Sequence, residues 1–312
     1  MKIKNILLVG TGAVGSLYGG KLAQAGVRVT ALCRSDYEVV KEKGIGITSI
    51  WGDFRFFPEK VIRHAGELED QPDAVVVALK VLPDVRVGEI IGPAVGQETA
   101  VVLIQNGVEI EGDVARAFPE NEIISGLAFV CAGRTALGEV HHIDYGKLIL
   151  GNFPSGVSER TRLLAGLFKS AGVPCSVSED IVKERWKKLV WNAPFSPLSV
   201  LGGGVDTREI LGDDESAKLV REAMEEVCLV AKALGHELPS SVVEKNIADS
   251  MKMKPYKTSM CLDFEAGRPM EVECILGNAV RAARRASMDV PCLETLYALL
   301  RLMDKRVRKQ FN

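Results

Sequence analysis

The run Lys4-Asn5-Ile6-Leu7-Leu8-Val9-Gly10-Thr11-Gly12-Ala13-Val14-Gly15 decides how the rest of this sequence is read. An apolar strand leads into glycines at GxGxxG spacing. A helical stretch from Ser16 to Ala25 follows, and Gly26 ends it before a second strand, Val27 to Leu32. Gly10 permits the tight turn, Gly12 lets the backbone approach a pyrophosphate, and Gly15 lets the helix pack closely on the strand. The first N–H groups of the helix are then left for an anion. The glycine spacing alone is a weak signal. With a strand before it and a helix and strand after it, the segment reads as a dinucleotide site built from Gly10, Thr11, Gly12, Ala13, Val14 and Gly15. The plain alternative is a glycine-rich turn without a ligand.

The end of the second strand selects the dinucleotide, because an acid there accepts from both ribose hydroxyls. Here the chain has Arg34-Ser35. A guanidinium fork and a hydroxyl suit a 2′-phosphate that a carboxylate would repel, so the expected cofactor is NADP(H). Asp36, close by, argues the other way, and a solvated surface arginine is the bland reading of Arg34.

The 312 residues are 47% apolar with a net charge of −2, enough for two packed domains or one large α/β unit. So even a charge balance gives no electrostatic footprint for nucleic acid or an anionic membrane. The longest apolar runs are strand-length, so neither a signal peptide nor a membrane span is expected, and the expected location is cytoplasmic. Seven cysteines lie scattered without a CxxC pair, which fits reduced thiols better than disulfides or zinc. His141 and His142 have no carboxylate or cysteine at ligand spacing and read as surface or satisfied polar groups, so no metal is expected.

Further along, Ile45 to Ile50 and Phe54 to Phe57 read as a hairpin outside the main sheet, around Trp51-Gly52-Asp53. Ala74 to Leu79 and Ala100 to Gln105 read as buried parallel strands. Lys80 and Asn106 follow them, at the carboxyl edge where open α/β sheets bind ligands. Lys80 could meet a cofactor or substrate anion, or be merely solvated. Asn106, before Gly107, offers a donor and an acceptor to a carboxamide or carboxylate, or makes a simple turn. Ile123 to Val130 continues the sheet, and a second hairpin is expected around Asp144-Tyr145-Gly146. Strand-type runs stop after Cys175 to Val177, and helices follow from Ile181. The expected fold is α/β: a Rossmann-type, doubly wound NADP(H)-binding domain over residues 1–180, and an all-helical substrate and dimerisation domain over 181–312. Apolar helices in the second half point to a homodimer.

Within the helical half, Lys188, Asn192 and Ser196 recur every four residues, which stacks an ammonium, an amide and a hydroxyl on one helix face. An exposed polar stripe is the alternative, although an Asn and a Ser beside Pro194 and Pro197 make a poor solvated surface. Those prolines should kink or end the helix. Later, Ser259 could cap a short helix, and Glu271 could sit at the positive end of the next one.

Together these stretches resemble the ketopantoate reductase (2-dehydropantoate 2-reductase) family along essentially the whole chain. The matching features are the N-terminal GxGxxG, Lys80 after the fourth main strand, and Asn106-Gly107 after the fifth. To these are added Lys188-x-x-x-Asn192-x-x-x-Ser196-Pro197-Leu198, and Ser259-Met260 followed by Glu271. Ser196 stands where the family places a second Asn. The resemblance implies an NADPH-dependent reductase of a small 2-oxoacid, with Lys188 as general acid. It also implies that Asn106, Asn192, Ser196 and Ser259 hold the substrate, that Glu271 contacts cofactor or substrate beside the lysine, and that Ala132 lines the cofactor. Such chemistry needs a hydride from the nicotinamide and a proton for the developing alkoxide, which a lysine near a carboxylate can deliver. The alternatives are a reductase of a related 2-oxoacid, since a hydroxyl at 196 reaches less far than an amide, or a noncatalytic NADP(H)-binding sensor. A sensor would have no need of Lys188 and its partners.

Overall fold

A computed structural model describes residues 2–311, with side chains through residue 309. The chain forms two compact units. The first runs to Lys80 and takes in Val85–Gln105 and Ile110–Ile181. The second comprises Val81–Asp84, Asn106–Glu109 and the chain from Val182 onward. Two short loop segments thus group with the helical half, where a single cut near residue 180 would assign them to the first.

The first unit begins with β1 (Asn5–Val9), α1 (Ala13–Gln24), β2 (Arg28–Leu32), α2 (Tyr37–Lys43), β3 (Ile45–Ser49), β4 (Phe54–Phe56), β5 (Lys60–Ile62) and β6 (Ala74–Val77). It continues through α3 (Val87–Ile91), β7 (Ala100–Ile104), α4 (Gly112–Ala117), β8 (Ile123–Ala136), β9 (Glu139–Asn152), α5 (Glu159–Ser170) and β10 (Cys175–Val177). The run β5-β2-β1-β6-β7-β8 is parallel throughout. Counted alone, these strands have the order 3-2-1-4-5-6 of a dinucleotide-binding sheet, whose switch point lies between β1 and β6. Alternation along β1 sends Ile6 and Leu8 into one core layer, with Leu17, Tyr18 and Leu22 of α1. Leu7 and Val9 enter the opposite layer, with Val75, Val77, Ile91 and Val114. Each strand is therefore covered on both faces, which is why β6 and β7 are uninterrupted apolar runs.

Three features of this sheet differ from expectation. The hairpin of β3 and β4 is no excursion: β3 pairs in parallel with β9, with Gly46 opposite Glu139, and β4 beyond it forms the sheet's far edge. Ile45 and Ile47 are buried there, so their apolar character belongs to the sheet. Asp144-Tyr145-Gly146 is no turn. β9 runs through it, and the reversal from β8 falls at Leu137-Gly138. Tyr145 (φ 61°) and Gly146 (φ 116°) take the positive φ of turn residues inside a bulge, where the register with β8 shifts. Tyr18 donates to the Gly146 carbonyl at 3.1 Å. The His142 ring nitrogens lie 2.8 Å from Ser49 Oγ and 3.1 Å from the Asp144 carbonyl, which accounts for that residue's polarity. Finally, β5 is a further parallel strand of the sheet, whose three residues between charged neighbours carry no strand pattern of their own.

The second unit is helical: α6 (Ile181–Leu201), α7 (Thr207–Gly212), α8 (Asp214–Ala233), α9 (Val242–Lys252), α10 (Ser259–Glu265), α11 (Asn278–Arg285) and α12 (Pro291–Phe311). A π-helical turn, Glu273–Gly277, leads directly into α11. Pro194 and Pro197 were expected to kink or end α6; they do not end it, and it continues to Leu201. Burial of Trp186, Leu189, Val190, Ala193, Phe195 and Val200 outweighs the two lost hydrogen bonds. The helix stops instead at Gly202-Gly203-Gly204, where Gly203 and Gly204 take positive φ. No helix among the described residues is long and apolar enough to cross a membrane.

Candidate active site

In the first unit the three glycines of the opening motif divide by what surrounds them. Gly10 has φ +97°, and a Cβ there would meet Leu79 at 2.9 Å and the Ala78 backbone at 3.0 Å. At Gly15 a Cβ would lie 2.0 Å from the Gly10 carbonyl oxygen, so α1 can approach β1 only through a glycine. A Cβ at Gly12 would meet nothing within 4 Å. Protein packing explains Gly10 and Gly15, while the space above Gly12 remains for a ligand backbone. Gly12 also caps α1 without a side-chain bond, and no acidic residue occupies the first turn. The Thr11-Gly12-Ala13-Val14 segment thus presents the positive end of a helix to an anion, and the residues fit a dinucleotide pyrophosphate.

Past β2, Arg34 and Ser35 are exposed, whereas Asp36 is 3% exposed. The Thr11 hydroxyl donates to Asp36 Oδ2 at 2.5 Å. Asp36 is therefore turned back onto the glycine loop, and the Arg34 guanidinium and Ser35 hydroxyl left facing solvent suit a 2′-phosphate. Lys80 follows β6, and Gln105, after β7, donates to the Leu79 carbonyl at 2.7 Å, joining the two loops at the carboxyl edge. Ala132 stands on the part of β8 that extends beyond β7, opposite His142.

The second unit gathers Lys188, Asn106 and Glu271 into one hydrogen-bonded line. Lys188 Nζ donates to Asn106 Oδ1 at 2.7 Å, and Asn106 Nδ2 donates to Glu271 Oε2 at 3.2 Å. The other carboxylate oxygen, Oε1, accepts from the Val81 N–H at 3.0 Å. An ammonium only donates and a carboxylate only accepts, so the orientation of the amide between them is fixed. Lys188 keeps some solvent contact as a residue. Its ammonium is nonetheless desolvated, and that burial, with the neighbouring Arg185 charge, pulls its pKa down to about 8 against the opposing pull of Glu271 and Cys274.

The loop carrying Asn106 is held by groups the sequence did not single out. Arg185, 1% exposed, donates to the Gly107 carbonyl at 2.9 Å. Val108 N–H donates to the Cys274 carbonyl at 3.1 Å, and Asn278 donates to the Val108 carbonyl at 2.7 Å. Gly107 has φ +97°, and a Cβ there would come within 2.6 Å of Cys274, so the loop lies hard against the π-helical turn. Burial, with the Glu271 charge beside it, pushes the Cys274 thiol well above its ordinary pKa, keeping it neutral. Such widened turns often mark functional sites, and this one begins two residues after Glu271. A buried Arg beside Lys188 is detectable in sequence only as an unexplained charge, and the π-helical turn has no sequence signature.

Asn192 and Ser196 share α6 with Lys188. Ser196 is 3% exposed, Asn192 is half-buried, and neither side chain has a hydrogen-bond partner among the described residues. Trp191, on another face, donates to Ser250 Oγ at 2.9 Å and stacks near Phe195. Of the two readings of Ser259, the cap of α10 does not hold: the cap is Thr258, whose hydroxyl accepts from Cys261 N–H at 3.2 Å. Ser259 is the first helical residue, exposed, with no hydrogen-bond partner for its side chain among the described residues, so its hydroxyl is not spent on capping. Among the described residues no group of three or more His, Cys, Asp or Glu is arranged to hold a metal ion.

Known proteins match along the whole chain. The family described as ketopantoate reductase PanE/ApbA matches residues 6–155, and its C-terminal counterpart matches residues 180–304. A 2-dehydropantoate 2-reductase of Nostoc sp. is 36% identical over 99% of this chain and 98% of its own length. The crystal structure of 2-dehydropantoate 2-reductase from Methylococcus capsulatus superposes with a TM-score of 0.92 at 53% identity, covering 97% of each chain. That of the Geobacter metallireducens GS-15 enzyme gives 0.90 at 37% identity, over 96% of this chain and 99% of the other. With its glycine cradle and its Lys188–Asn106–Glu271 line on such a fold, the chain belongs to the ketopantoate reductase family.

Proposed function

We propose that this chain reduces 2-dehydropantoate (ketopantoate) to pantoate with NADPH, a step toward pantothenate. The observation that carries the reading is the Lys188–Asn106–Glu271 line, with the lysine lowered to about 8. The Gly10–Gly15 cradle and Arg34 would hold NADPH, which would supply the hydride. Lys188 gives its proton to the carbonyl oxygen as that oxygen gains negative charge, and its ammonium stabilises the charge before the transfer. A proton donor near 8 serves neutral-pH chemistry better than an ordinary lysine near 10.5. Glu271 holds Asn106, which aims the ammonium, while Asn192, Ser196 and Ser259 offer their unengaged polar groups to the substrate carboxylate and hydroxyl. Lys80 and Ala132 belong to the cofactor's surroundings in this reading. The names of the 36% and 53% identical relatives support the substrate.

Following NADPH oxidation with ketopantoate and a panel of 2-oxoacids tests the proposal. Turnover should be fastest with ketopantoate, and no turnover with any 2-oxoacid would overturn it. NADPH should bind at least about tenfold more tightly than NADH, roughly 1.4 kcal/mol, and Arg34→Ala should erase most of that gap in a fluorescence titration. Equal affinities in the unmutated protein would refute the assignment of Arg34. Homodimerisation through the exposed Leu229, Leu299 and Leu302 of α8 and α12, and a cytoplasmic location, complete the proposal. A monomer in analytical ultracentrifugation would remove the first of these.

The buried, unengaged Ser196 favours one second reading, a pocket retuned to a related 2-oxoacid. Asn fills volume that Ser leaves to water or to a larger substrate, and it can donate directly to a substrate hydroxyl. Ser196→Asn should then shift the kcat/KM ratio toward ketopantoate by about 1 kcal/mol or more. A uniform change across the panel would mean that Ser196 serves the helix alone.

A further inference from the structure

We propose that Thr11 determines the choice between NADPH and NADH by holding Asp36 away from the ribose, a role that rests on the nucleotide site proposed above. Asp36 immediately precedes α2, where an Asp side chain ordinarily accepts from a backbone N–H of the first turn. It makes no such bond. Its carboxylate instead turns back to the glycine loop and accepts from the Thr11 hydroxyl at 2.5 Å, while 97% of the residue is removed from solvent. Among the described residues Asp36 has no other side-chain hydrogen bond. Thr11 is itself positioned, because its carbonyl accepts from Ser16 Oγ at 3.0 Å in the first turn of α1. One hydroxyl between Gly10 and Gly12 thus retains the Asp36 carboxylate.

The consequence follows from what an acid does at that strand end. A free carboxylate accepts from the ribose hydroxyls of NADH and repels the 2′-phosphate of NADPH. Bound to Thr11, Asp36 is turned to the glycine loop, so Arg34 and Ser35 are left to meet the phosphate. A valine at 11 keeps the shape of threonine but removes the hydroxyl. The carboxylate then loses its partner while nearly buried, an unfavourable state that it leaves by turning outward toward the ribose. Thr11 is therefore a positioning residue: it acts on specificity through Asp36.

Fluorescence titration of the full chain with NADPH and with NADH, with no substrate present, tests the inference. Thr11→Val should weaken NADPH and strengthen NADH, moving the ratio of dissociation constants by at least tenfold. Thr11→Ser, which keeps the hydroxyl, should hold the ratio of the unmutated protein. Asp36→Asn should keep NADPH preferred, and the Thr11→Val/Asp36→Asn double variant should recover that preference, since no carboxylate remains to be released. Equal weakening of both nucleotides by Thr11→Val would mean that the hydroxyl only supports the loop, and an unchanged ratio would mean that the carboxylate caps α2 instead; either overturns the inference. If Thr11→Val does not fold, Asp36→Asn still decides: a shift toward NADH there contradicts the proposal. Should the unmutated protein bind neither nucleotide, the cofactor site itself is wrong, a failure distinct from the others.

Discussion

Replacing Lys188 with alanine is expected to lower kcat with the best 2-oxoacid by roughly 10²-fold or more, the loss typical of a positioned general acid. NADPH affinity should change little, because the Gly10–Gly15 cradle and Arg34 belong to other elements. Lys188→Arg should not restore the rate. An arginine keeps the positive charge, but it holds its proton far too tightly to be a good donor at neutral pH. The pair separates charge stabilisation from proton transfer, and near-normal turnover in Lys188→Ala would place the donor elsewhere. Stopped-flow measurement of NADPH oxidation under single-turnover conditions reads the chemical step directly.

Glu271→Gln is the second large effect, and its direction comes from hydrogen-bond polarity. Both oxygens of Glu271 accept, one from Val81 N–H and one from Asn106 Nδ2. A glutamine offers one acceptor and an NH₂, so one of these donors must face another donor. If Asn106 turns over to escape, it presents its own NH₂ to the Lys188 ammonium and the line is broken. Loss of the carboxylate also removes a charge that raises the lysine pKa, so Lys188 should release its proton at lower pH. The expected outcome is a roughly tenfold to 10²-fold lower kcat/KM near neutrality, with the alkaline limb of the profile displaced to lower pH. A variant with unchanged rate and unchanged limb would show that Glu271 neither aims nor charges the lysine.

The parts of this structure that were legible in sequence are those whose physics is local. The glycine loop could be read because close approach and positive φ allow only glycine, and the structure shows which contacts impose it at Gly10 and Gly15. β6 and β7 could be read because strands covered on both faces must be apolar throughout. The α6 face could be read because a spacing of four residues stacks Lys188, Asn192 and Ser196 whatever lies around them. What stayed hidden depends on partners distant in sequence. Asp36 looked like an obstacle to NADP(H) until its bond to Thr11, 25 residues away, was visible. Asp144-Tyr145-Gly146 has the composition of a turn, and only the pairing of β9 with β8 turns it into a bulge. Pro194 and Pro197 penalise a helix by known amounts, but the burial that outweighs them comes from the rest of the unit. The anchoring of Asn106 by Arg185 and the π-helical turn belongs to the same class, because no local pattern announces either.

The pH dependence of kcat/KM for ketopantoate reduction tests the central claim most directly, since it reports the ionisation of the free enzyme's proton donor. With the Lys188 pKa near 8, the required form is the protonated one. The rate should therefore be level below about pH 8 and fall tenfold per pH unit above it, and the limb should be absent from the residual activity of Lys188→Ala. A level profile through pH 10, or a limb that survives in Lys188→Ala, would contradict the assignment of Lys188 as the acid.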